Sequence, residues 1–285
     1  DSRRLPAGVH CTSKPLGKDR PLAFLFPGQG SQYPNMLRSL AVEFSEVSRR
    51  YEMLDREFGD AFEQSLSTYV FPPPEFSDEE RKQSAEHLKP TDRLQPILGA
   101  SDTGMLRLLE SFGLRPNMVA GHSYGELVAL HAAGSIDESA LYRLSLARGR
   151  AISEMTAGNQ GDLGSMLAVR AGETEVGQAI AECDEAWLAN MNSPRQTIIA
   201  GSRRGIEDAV KKLNAARLAF TPIAVACGFH SPLMDPARKQ LDSALKQLDF
   251  RPPRIDVYSN TTAKPYPKGP AEIREQLSEH LVRQV

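Results

Sequence analysis

Hydrophobic residues are distributed along the chain in two patterns, short apolar runs and longer stretches with helical spacing. Residues 22–26 form a fully apolar run, which is typical of a buried parallel strand, and a second short run ends at Gly121. Apolar residues recur three or four positions apart over 36–58, 91–112 and 138–154, which predicts helices. This alternation of buried strands and helices indicates an α/β fold.

The stretch from 161 to 225 has a different order of predicted elements. Its pattern is strand, helix, strand, strand, helix, strand, the βαββαβ order of a ferredoxin-like unit. Such a unit inserted in an α/β domain forms a second wall for a cleft, and active sites often lie at such junctions. The predicted strands are 164–170, 186–190, 196–200 and 219–225, and the predicted helices are 173–182 and 203–216.

The remaining stretches are more polar or richer in proline. Residues 1–20 are polar and basic, which is typical of a linker or of the tail of a preceding unit. In 68–92, the prolines at 72–74 exclude a helix, and we expect the charged run 77–89 to be a solvated surface excursion. The other predicted features are a helix ending near 248, an apolar stretch at 255–258 and a helix from about 271.

Composition excludes several classes of function. The chain has 285 residues, 40% of them hydrophobic and 25% charged, with a formal net charge of -2, so there is no electrostatic case for binding nucleic acid or an anionic membrane. Its longest weakly charged stretch, 116–136, is interrupted by polar residues, and we expect no membrane span and no secretory signal. Three widely spaced cysteines favour a reducing cytoplasm over a disulfide framework or zinc site: Cys11, Cys183 and Cys227.

Residues 121–125, Gly-His-Ser-Tyr-Gly, lie between an apolar run and a helix-forming segment. A G-x-S-x-G nucleophile elbow requires this strand–turn–helix context, and its glycines let the strand and the helix approach closely. The pattern predicts Ser123 as a nucleophile, with unpaired N–H groups at the helix start available to an oxyanion. Glu126 in the first turn suits the helix dipole. The alternative is a glycine-rich turn before an ordinary helix.

A serine nucleophile needs a base, and His230 is the best placed of six histidines. It follows a predicted strand and precedes a helix start at Ser231, a strand-end position where the sites of α/β proteins collect. The alternative is a core histidine with satisfied hydrogen bonds. Of the other five, His10 lies in the linker, His87 in the charged run and His122 beside the serine. His131 and His280 lie on predicted helices.

Two further features could bind substrate. The loop 27–32 contains Gly-x-Gly after a strand, but Tyr33 stands where a dinucleotide fingerprint has its third glycine. Instead of binding a dinucleotide, the loop is expected to offer backbone N–H groups and the Gln29 amide to a substrate carbonyl. Arg148 lies within the predicted helix 138–154, where it is either a solvated arginine or a guanidinium that binds a carboxylate in bidentate fashion.

Five motifs in order resemble those of malonyl-CoA:acyl-carrier-protein transacylases and of the acyltransferase domains of polyketide and fatty-acid synthases. They are Phe-Pro-Gly-Gln-Gly-Ser-Gln at 26–32, Gly-His-Ser-Tyr-Gly-Glu at 121–126, Arg148, Asn-Ser-Pro-Arg-Gln at 192–196 and Gly-Phe-His-Ser at 228–231. The resemblance runs from 21 to 285. The segment 69–76 and Tyr124 are most similar to the acyltransferase domains of enediyne or polyunsaturated-fatty-acid synthases.

The resemblance implies an α/β-hydrolase-like large subdomain with an inserted ferredoxin-like small subdomain. We expect the large subdomain to comprise 21–160 and 226–285, the small one 161–225, and the linker 1–20. The chain stops short of the family's closing segment, so we expect it to be an excised or incomplete domain.

The resemblance also assigns roles. Ser123 is the nucleophile, His230 the general base and acid, and Arg148 the residue that holds the free carboxylate of a malonyl group. Backbone N–H groups of Gln29 and Tyr124 form the oxyanion hole. Gln284 supplies a backbone carbonyl that orients the histidine. Asn192 is a lining residue, and the Phe229 ring leaves no room for an α-methyl group. In the Cys-Gly-Phe-His segment ending at His230, Phe229 follows the family's malonyl pattern, whereas Cys227 and Gly228 do not.

The implied substrate is malonyl-CoA, and the implied acceptor is the phosphopantetheine thiol of an acyl carrier protein. No metal and no bound cofactor is expected, and a ketosynthase is expected before the N-terminal linker. One alternative is a serine hydrolase or thioesterase, which needs an acidic partner before His230; Asp184 and Glu207 fall inside the small-subdomain pattern. Another is a non-catalytic docking domain.

Overall fold

The computed structural model describes residues 9, 11–13, 20–158 and 161–285. Most of the predicted linker 1–20, including His10, therefore lies outside the described residues. The strands are β1 (Ala23–Phe26), β2 (Met118–Gly121), β3 (Ser165–Val169), β4 (Ala186–Ser193), β5 (Gln196–Gly201), β6 (Phe220–Ile223) and β7 (Asp256–Tyr258). The helices are α1 (Arg38–Glu43), α2 (Ser45–Phe58), α3 (Leu66–Val70), α4 (Asp78–His87), α5 (Thr91–Ser111), α6 (Gly125–Ala132), α7 (Glu138–Ala157), α8 (Glu173–Ile180), α9 (Arg203–Ala215), α10 (Asp235–Lys246) and α11 (Pro270–His280).

The larger part of the molecule is built around a parallel sheet with the strand order β1-β2-β7. Phe26 at the end of β1 is level with Gly121 at the end of β2, and Ala120 is level with Tyr258 at the end of β7. Because the carboxyl ends of parallel strands lie at the same edge of a sheet, the loops that follow all three strands meet there. The predicted nucleophile elbow is one of these loops.

Helices α2, α5 and α7 pack together in the core of this part. Glycine permits the closest approach: a Cβ atom added at Gly149 in α7 would lie 2.4 Å from the Thr91 carbonyl oxygen at the start of α5. The contact fixes the middle of α7, and Arg148 is the residue before that glycine.

The second sheet has the order β4-β5-β3-β6, with antiparallel pairs throughout. Leu167 and Val169 of β3 pack with α8 and α9 in one cluster, whereas Met166 packs with Ile198 and the partly buried Phe229 in another. One face of this sheet therefore packs against α8 and α9, and the opposite face is turned toward the rest of the molecule.

The predicted α/β class with a βαββαβ unit is confirmed, with differences of up to three residues at strand ends. Strand β4 is longer than predicted and has irregular register after Leu188 and Met191. Strand β6 is shorter and ends at Ile223. The subdomain boundaries at 160/161 and 225/226 stay predictions.

The prediction that 68–92 contains no helix is wrong, because α4 occupies much of the charged run. The hydroxyl of Ser77 accepts from the Glu80 backbone N–H, and the Glu80 carboxylate accepts from the Ser77 N–H. This capping box and three acidic residues in the first turn stabilise a helix that has no buried residue. The prolines occupy only the connection before it.

The single helix predicted over 36–58 is also wrong. Phe44 adopts extended backbone angles, φ -124° and ψ 118°, and separates α1 from α2. The helical spacing of apolar residues continues across this break, so periodicity alone does not reveal it.

In the described ranges, no helix combines the length and the apolar character that crossing a membrane would require.

The turn between β2 and α6 depends on two glycines. A Cβ atom added at Gly125 would lie 2.2 Å from the Phe26 carbonyl oxygen, and one at Gly121 would lie 2.0 Å from the Gly125 carbonyl carbon. Between them Ser123 has a φ of +50°, the left-handed region that L-residues rarely adopt. Close approach of the helix to β1 and β2 therefore fixes a strained residue at the sheet edge.

We expect Gly125→Ala to lower the free energy of unfolding by about 3 kcal/mol or more, because backbone atoms rather than flexible side chains oppose the methyl group. Gly177→Ala in α8 is the control: its Cβ would lie 3.6 Å from a Leu188 methyl group, an ordinary contact. That change should stabilise the protein by about 0.5–1 kcal/mol. Urea unfolding of both variants measures the difference, and equal midpoints would contradict the expectation.

Candidate active site

A cavity of about 200 Å³ lies between the parallel sheet and the open face of the second sheet. Its lining includes six of the predicted site residues: Gln29, Ser123, Arg148, Asn192, Phe229 and His230. Met166, Ile198 and Ile223 contribute apolar surface from the second sheet. Residues from distant parts of the sequence therefore meet in one partly apolar chamber.

Ser123 and His230 are in direct contact, with the serine Oγ 2.8 Å from the histidine Nε2. Both residues have left-handed backbone angles, φ +50° for Ser123 and +56° for His230. Two sharp turns thus aim a hydroxyl and an imidazole at each other. A hydrogen bond of this length is what proton transfer from a serine to a base requires.

His230 is buried, with 4% of its surface exposed, and its second ring nitrogen is also occupied. Nδ1–H donates to the His280 carbonyl at 3.1 Å, which leaves the Nε2 lone pair to accept from Ser123. Burial, and next the positive charge of Arg148, lowers the pKa of His230 to about 3. The ring is therefore neutral at pH 7, the form that acts as a base.

The carbonyl that Nδ1–H meets is that of His280 rather than the predicted one of Gln284, and the Arg283 backbone also interacts with the imidazole. Helix α11 ends at His280, and the Arg283 N–H, which could close a turn onto this carbonyl, donates to the Glu279 carbonyl instead. Its oxygen is therefore free to accept from an imidazole. Gln284 lines a second cleft, which His230 also borders.

Arg148 is a buried cation whose donors are unused. Only 3% of its surface is exposed, and in the described part of the chain it makes no hydrogen bond or salt bridge. Burial lowers its pKa to about 10, so the guanidinium stays charged at neutral pH. The Glu126 carboxyl acts on the guanidinium electrostatically but lies outside salt-bridge range, so the donors favour an anion in the cavity, and a planar carboxylate matches their fork.

Tyr124 and Gln29 present backbone groups near the serine. The Tyr124 side chain points into the core, where its hydroxyl lies 2.7 Å from Ser145 Oγ, while its N–H is at the start of α6. A Cβ atom added at Gly28 would lie 3.4 Å from the Tyr124 nitrogen, so the loop 27–30 runs beside it. Among the described residues, neither Gln29 N–H nor Tyr124 N–H has an acceptor.

Phe229 and Asn192 line the same cavity from different sides. Phe229 packs against both the large core and the second sheet, so its ring joins the two parts of the molecule. Asn192 donates from Nδ2 to Gln196 Oε1 at 3.1 Å across the β4–β5 hairpin. Cys227 is buried away from solvent, with its Sγ 3.6 Å from Met234 Sδ.

Two groups that hold the site together were not predicted from the sequence. One is the His280 carbonyl, a backbone atom that any residue type could supply. The other is Asn260, whose side-chain Oδ1 accepts from the Ser123 N–H at 2.7 Å. Its position two residues after β7 was the available signal, because strand ends collect at one edge of a parallel sheet.

The acidic partner that a serine hydrolase triad needs does not face His230, since a backbone carbonyl occupies Nδ1. Glu207 lies in α9 and Asp184 in the turn before β4, both beside the second sheet. Within the described residues, no cluster of three histidine, cysteine or carboxylate side chains could hold a metal ion.

Comparison with known proteins agrees with this geometry. The family described as "Acyl transferase domain" matches residues 23–284. The chain is 30% identical to a polyunsaturated fatty acid synthase polypeptide of Thraustochytrium sp. over 99% of its own length, but it spans only 10% of that protein. It is 32% identical to the malonyl CoA-acyl carrier protein transacylase of Bacillus subtilis, covering 91% of this chain and 78% of that one.

Among solved structures, a similar one is a malonyl-transacylase in complex with its type II polyketide synthase acyl-carrier protein. The TM-score is 0.81 and the sequence identity 30%, over 93% of this chain and 82% of that one. With a family match across nearly all of its length and a fold shared at this level, the chain belongs to the acyl transferase domain family.

Proposed function

We propose that this domain moves a malonyl group from malonyl-CoA to the phosphopantetheine thiol of an acyl carrier protein, through a malonyl ester of Ser123. One observation carries the proposal: the Ser123–His230 hydrogen bond faces the same cavity as the unpaired, buried guanidinium of Arg148. The names of the relative from Bacillus subtilis and of the solved transacylase support the same substrate and acceptor.

In the first half-reaction, Ser123 Oγ attacks the thioester carbonyl while its proton passes to His230 Nε2. The carbonyl oxygen becomes an oxyanion, which the N–H groups of Gln29 and Tyr124 stabilise, since neither has another acceptor in the described chain. The C–S bond then breaks. The departing thiolate of coenzyme A takes the proton from the imidazolium, and Ser123 carries the malonyl ester.

The second half-reaction reverses these steps with a different thiol. The phosphopantetheine thiol gives its proton to His230 and attacks the ester carbonyl. The C–O bond to Ser123 breaks, and the serine oxygen recovers the proton from the imidazolium. The His280 carbonyl holds Nδ1–H in both halves, so Nε2 remains the nitrogen that exchanges protons.

Arg148 gives specificity for an acyl group with a free carboxylate. A malonyl carboxylate fills the unused donors of the guanidinium, whereas an acetyl group leaves a buried charge unpaired. The Phe229 ring occupies the cavity wall, where it opposes a branch at the α-carbon. Asn192 is proposed as a lining residue near the acyl chain.

The carboxylate also affects the base. In the free site, the charge of Arg148 contributes to the low pKa of His230. A bound malonyl carboxylate offsets that charge, which raises the pKa of the imidazole and makes it a stronger base. The substrate that Arg148 selects therefore also strengthens the base that activates Ser123.

The wider setting is part of the proposal. A ketosynthase before the linker 1–20 fits the resemblance to synthase acyltransferase domains, as does the closer likeness to enediyne or polyunsaturated-fatty-acid synthases. The three cysteines form no disulfide in the described chain, which fits a reducing cytoplasm.

Incubation with malonyl-CoA should convert the protein to a stable malonyl adduct, detected by intact mass and mapped to Ser123 by peptide sequencing. Carrier protein with its phosphopantetheine group should discharge it. Ser123→Ala should abolish the adduct, and His230→Gln should slow its formation by about 10³-fold or more, because the serine loses its base.

Free malonate released faster than carrier protein is loaded would instead support a thioesterase. A wild-type protein that forms no adduct would support a non-catalytic domain.

Arg148→Ala should reduce malonyl loading by on the order of 10²-fold while acetyl loading holds or improves, because only malonyl offers the carboxylate. Arg143→Ala is the matched control on the same helix; its side chain is 57% exposed and 3.8 Å from Glu57. Loading rates with the two acyl-CoAs are compared by intact mass. Equal losses for both would remove Arg148 from its assigned role.

The loading rate should depend little on pH between 5.5 and 7.5, because burial and Arg148 lower the pKa of His230 to about 3. An imidazole with the usual pKa of about 6.5 would be only about one tenth neutral at pH 5.5, and the rate would fall in proportion. The measurement is kcat/KM for malonyl loading across this range, with circular dichroism to show that the fold persists. An inflection near 6.5 would contradict the expectation.

A further inference from the structure

We propose that Asn260 is a positioning residue: its side-chain amide fixes the backbone of 121–123 and thereby aims Ser123 Oγ at His230. The inference rests on the proposed function for its substrate assay, but its geometric basis is independent of the acyl group.

The Asn260 amide bridges two backbone groups of the elbow. Its Oδ1 accepts from the Ser123 N–H at 2.7 Å, and its Nδ2 donates to the Gly121 carbonyl at 2.7 Å. Because a backbone N–H can only donate and a carbonyl can only accept, the contacts permit a single orientation of the amide. The side chain thus bridges the backbone on either side of His122, joining Gly121 to Ser123.

Such a clamp has a specific purpose at Ser123. A non-glycine residue with φ of +50° costs on the order of 1 kcal/mol or more and persists only where its surroundings hold it. The glycines on either side provide room for the turn, and the Gly125 N–H donates to the His122 carbonyl, but neither glycine bonds to the Ser123 N–H. The two hydrogen bonds of Asn260 hold the backbone on both sides of His122, including the Ser123 N–H itself.

Asn260 is itself held in place by buried groups. Its backbone N–H donates to Glu126 Oε2 at 2.6 Å, and Glu126 lies fully buried in the first turn of α6. The Tyr266 hydroxyl donates to the other oxygen of that carboxyl group. The loop after β7 is therefore attached both to the end of β2 and to the helix that starts beyond the serine.

The contact also decides which N–H groups serve the oxyanion. The Ser123 N–H is engaged by Asn260, whereas the next one along the chain, that of Tyr124, has no acceptor among the described residues. Removing the Asn260 amide would free the serine backbone to turn, and both the hydroxyl and the Tyr124 donor would move. Substrate contacts at Arg148, on another helix, would not.

The test compares Asn260→Ala and Asn260→Asp with the wild type. Asn260→Ala should lower the maximal rate of malonyl loading by about 10²-fold and leave KM for malonyl-CoA within about threefold, the pattern of a misaimed nucleophile. Asn260→Asp keeps an acceptor for the Ser123 N–H but replaces the donor to the Gly121 carbonyl with an oxygen, so its maximal rate should fall by about tenfold, a smaller loss than in the alanine variant.

Two controls distinguish a misplaced Ser123 hydroxyl from a general loss of protein stability and from a change in substrate binding. Ser202→Ala also removes a hydrogen bond from a backbone N–H to a side-chain oxygen, since Ser202 Oγ accepts from Gly205 N–H at 3.0 Å. Ser202, however, lies at the start of α9, outside the site. This variant should lose similar thermal stability and no loading rate per folded molecule. A serine-directed fluorophosphonate probe reads Ser123 reactivity without any acyl-CoA, and Asn260→Ala should slow this labelling too.

Loading and labelling of Asn260→Ala within threefold of the wild type would overturn the inference, as would a raised KM with an unchanged maximal rate. If the alanine variant does not fold, the aspartate variant decides: full activity overturns the role, and a lowered rate with unchanged KM supports it. A wild type that labels rapidly but never takes up malonyl refutes the proposed function and leaves the labelling test of Asn260 valid.

Discussion

The hydrogen bond between Ser123 Oγ and His230 Nε2 joins two segments that are 107 residues apart, and the arrangement of the site depends on it. Its 2.8 Å length leaves little tolerance, because hydrogen bonds weaken steeply with poor alignment. Each partner is therefore fixed by backbone rather than by side-chain rotamers alone. The serine stands in a glycine-walled turn, and the histidine, also left-handed at φ +56°, is tied to the end of α11.

Charge around this hydrogen bond is arranged so that Arg148 dominates. Burial lowers the pKa of His280 and raises that of Glu126 to about 7. The two side chains lie 3.9 Å apart, but the lowered pKa of His280 keeps its ring neutral, so they do not form a salt bridge. The Glu126 carboxyl acts mainly as a hydrogen-bond acceptor for the loop after β7.

Much of this arrangement could be predicted from local patterns in the sequence. Apolar runs and helical spacing predicted the two sheets, and glycine spacing with strand context predicted the elbow. Helix α4 could not be found by periodicity because no face of it is buried, although Ser77 and Glu80 have the residue types and spacing of a capping box. The His280 carbonyl and the Asn260 amide depend on tertiary proximity; Asn260 is 137 residues from the serine it contacts.

The unpaired guanidinium explains why the free site is arranged for binding rather than for maximal stability. A buried charge without a partner is unfavourable, and a counter-charge from the protein would remove that penalty while blocking the cavity. The carboxylate of the proposed substrate supplies the missing charge only when it is bound. After burial, Arg148 is the second cause of the low pKa of His230, so on the proposed function an anion that offsets Arg148 couples recognition of the acyl end to the basicity of the imidazole. An acyl group without a carboxylate meets a weaker base as well as an unsatisfied cation.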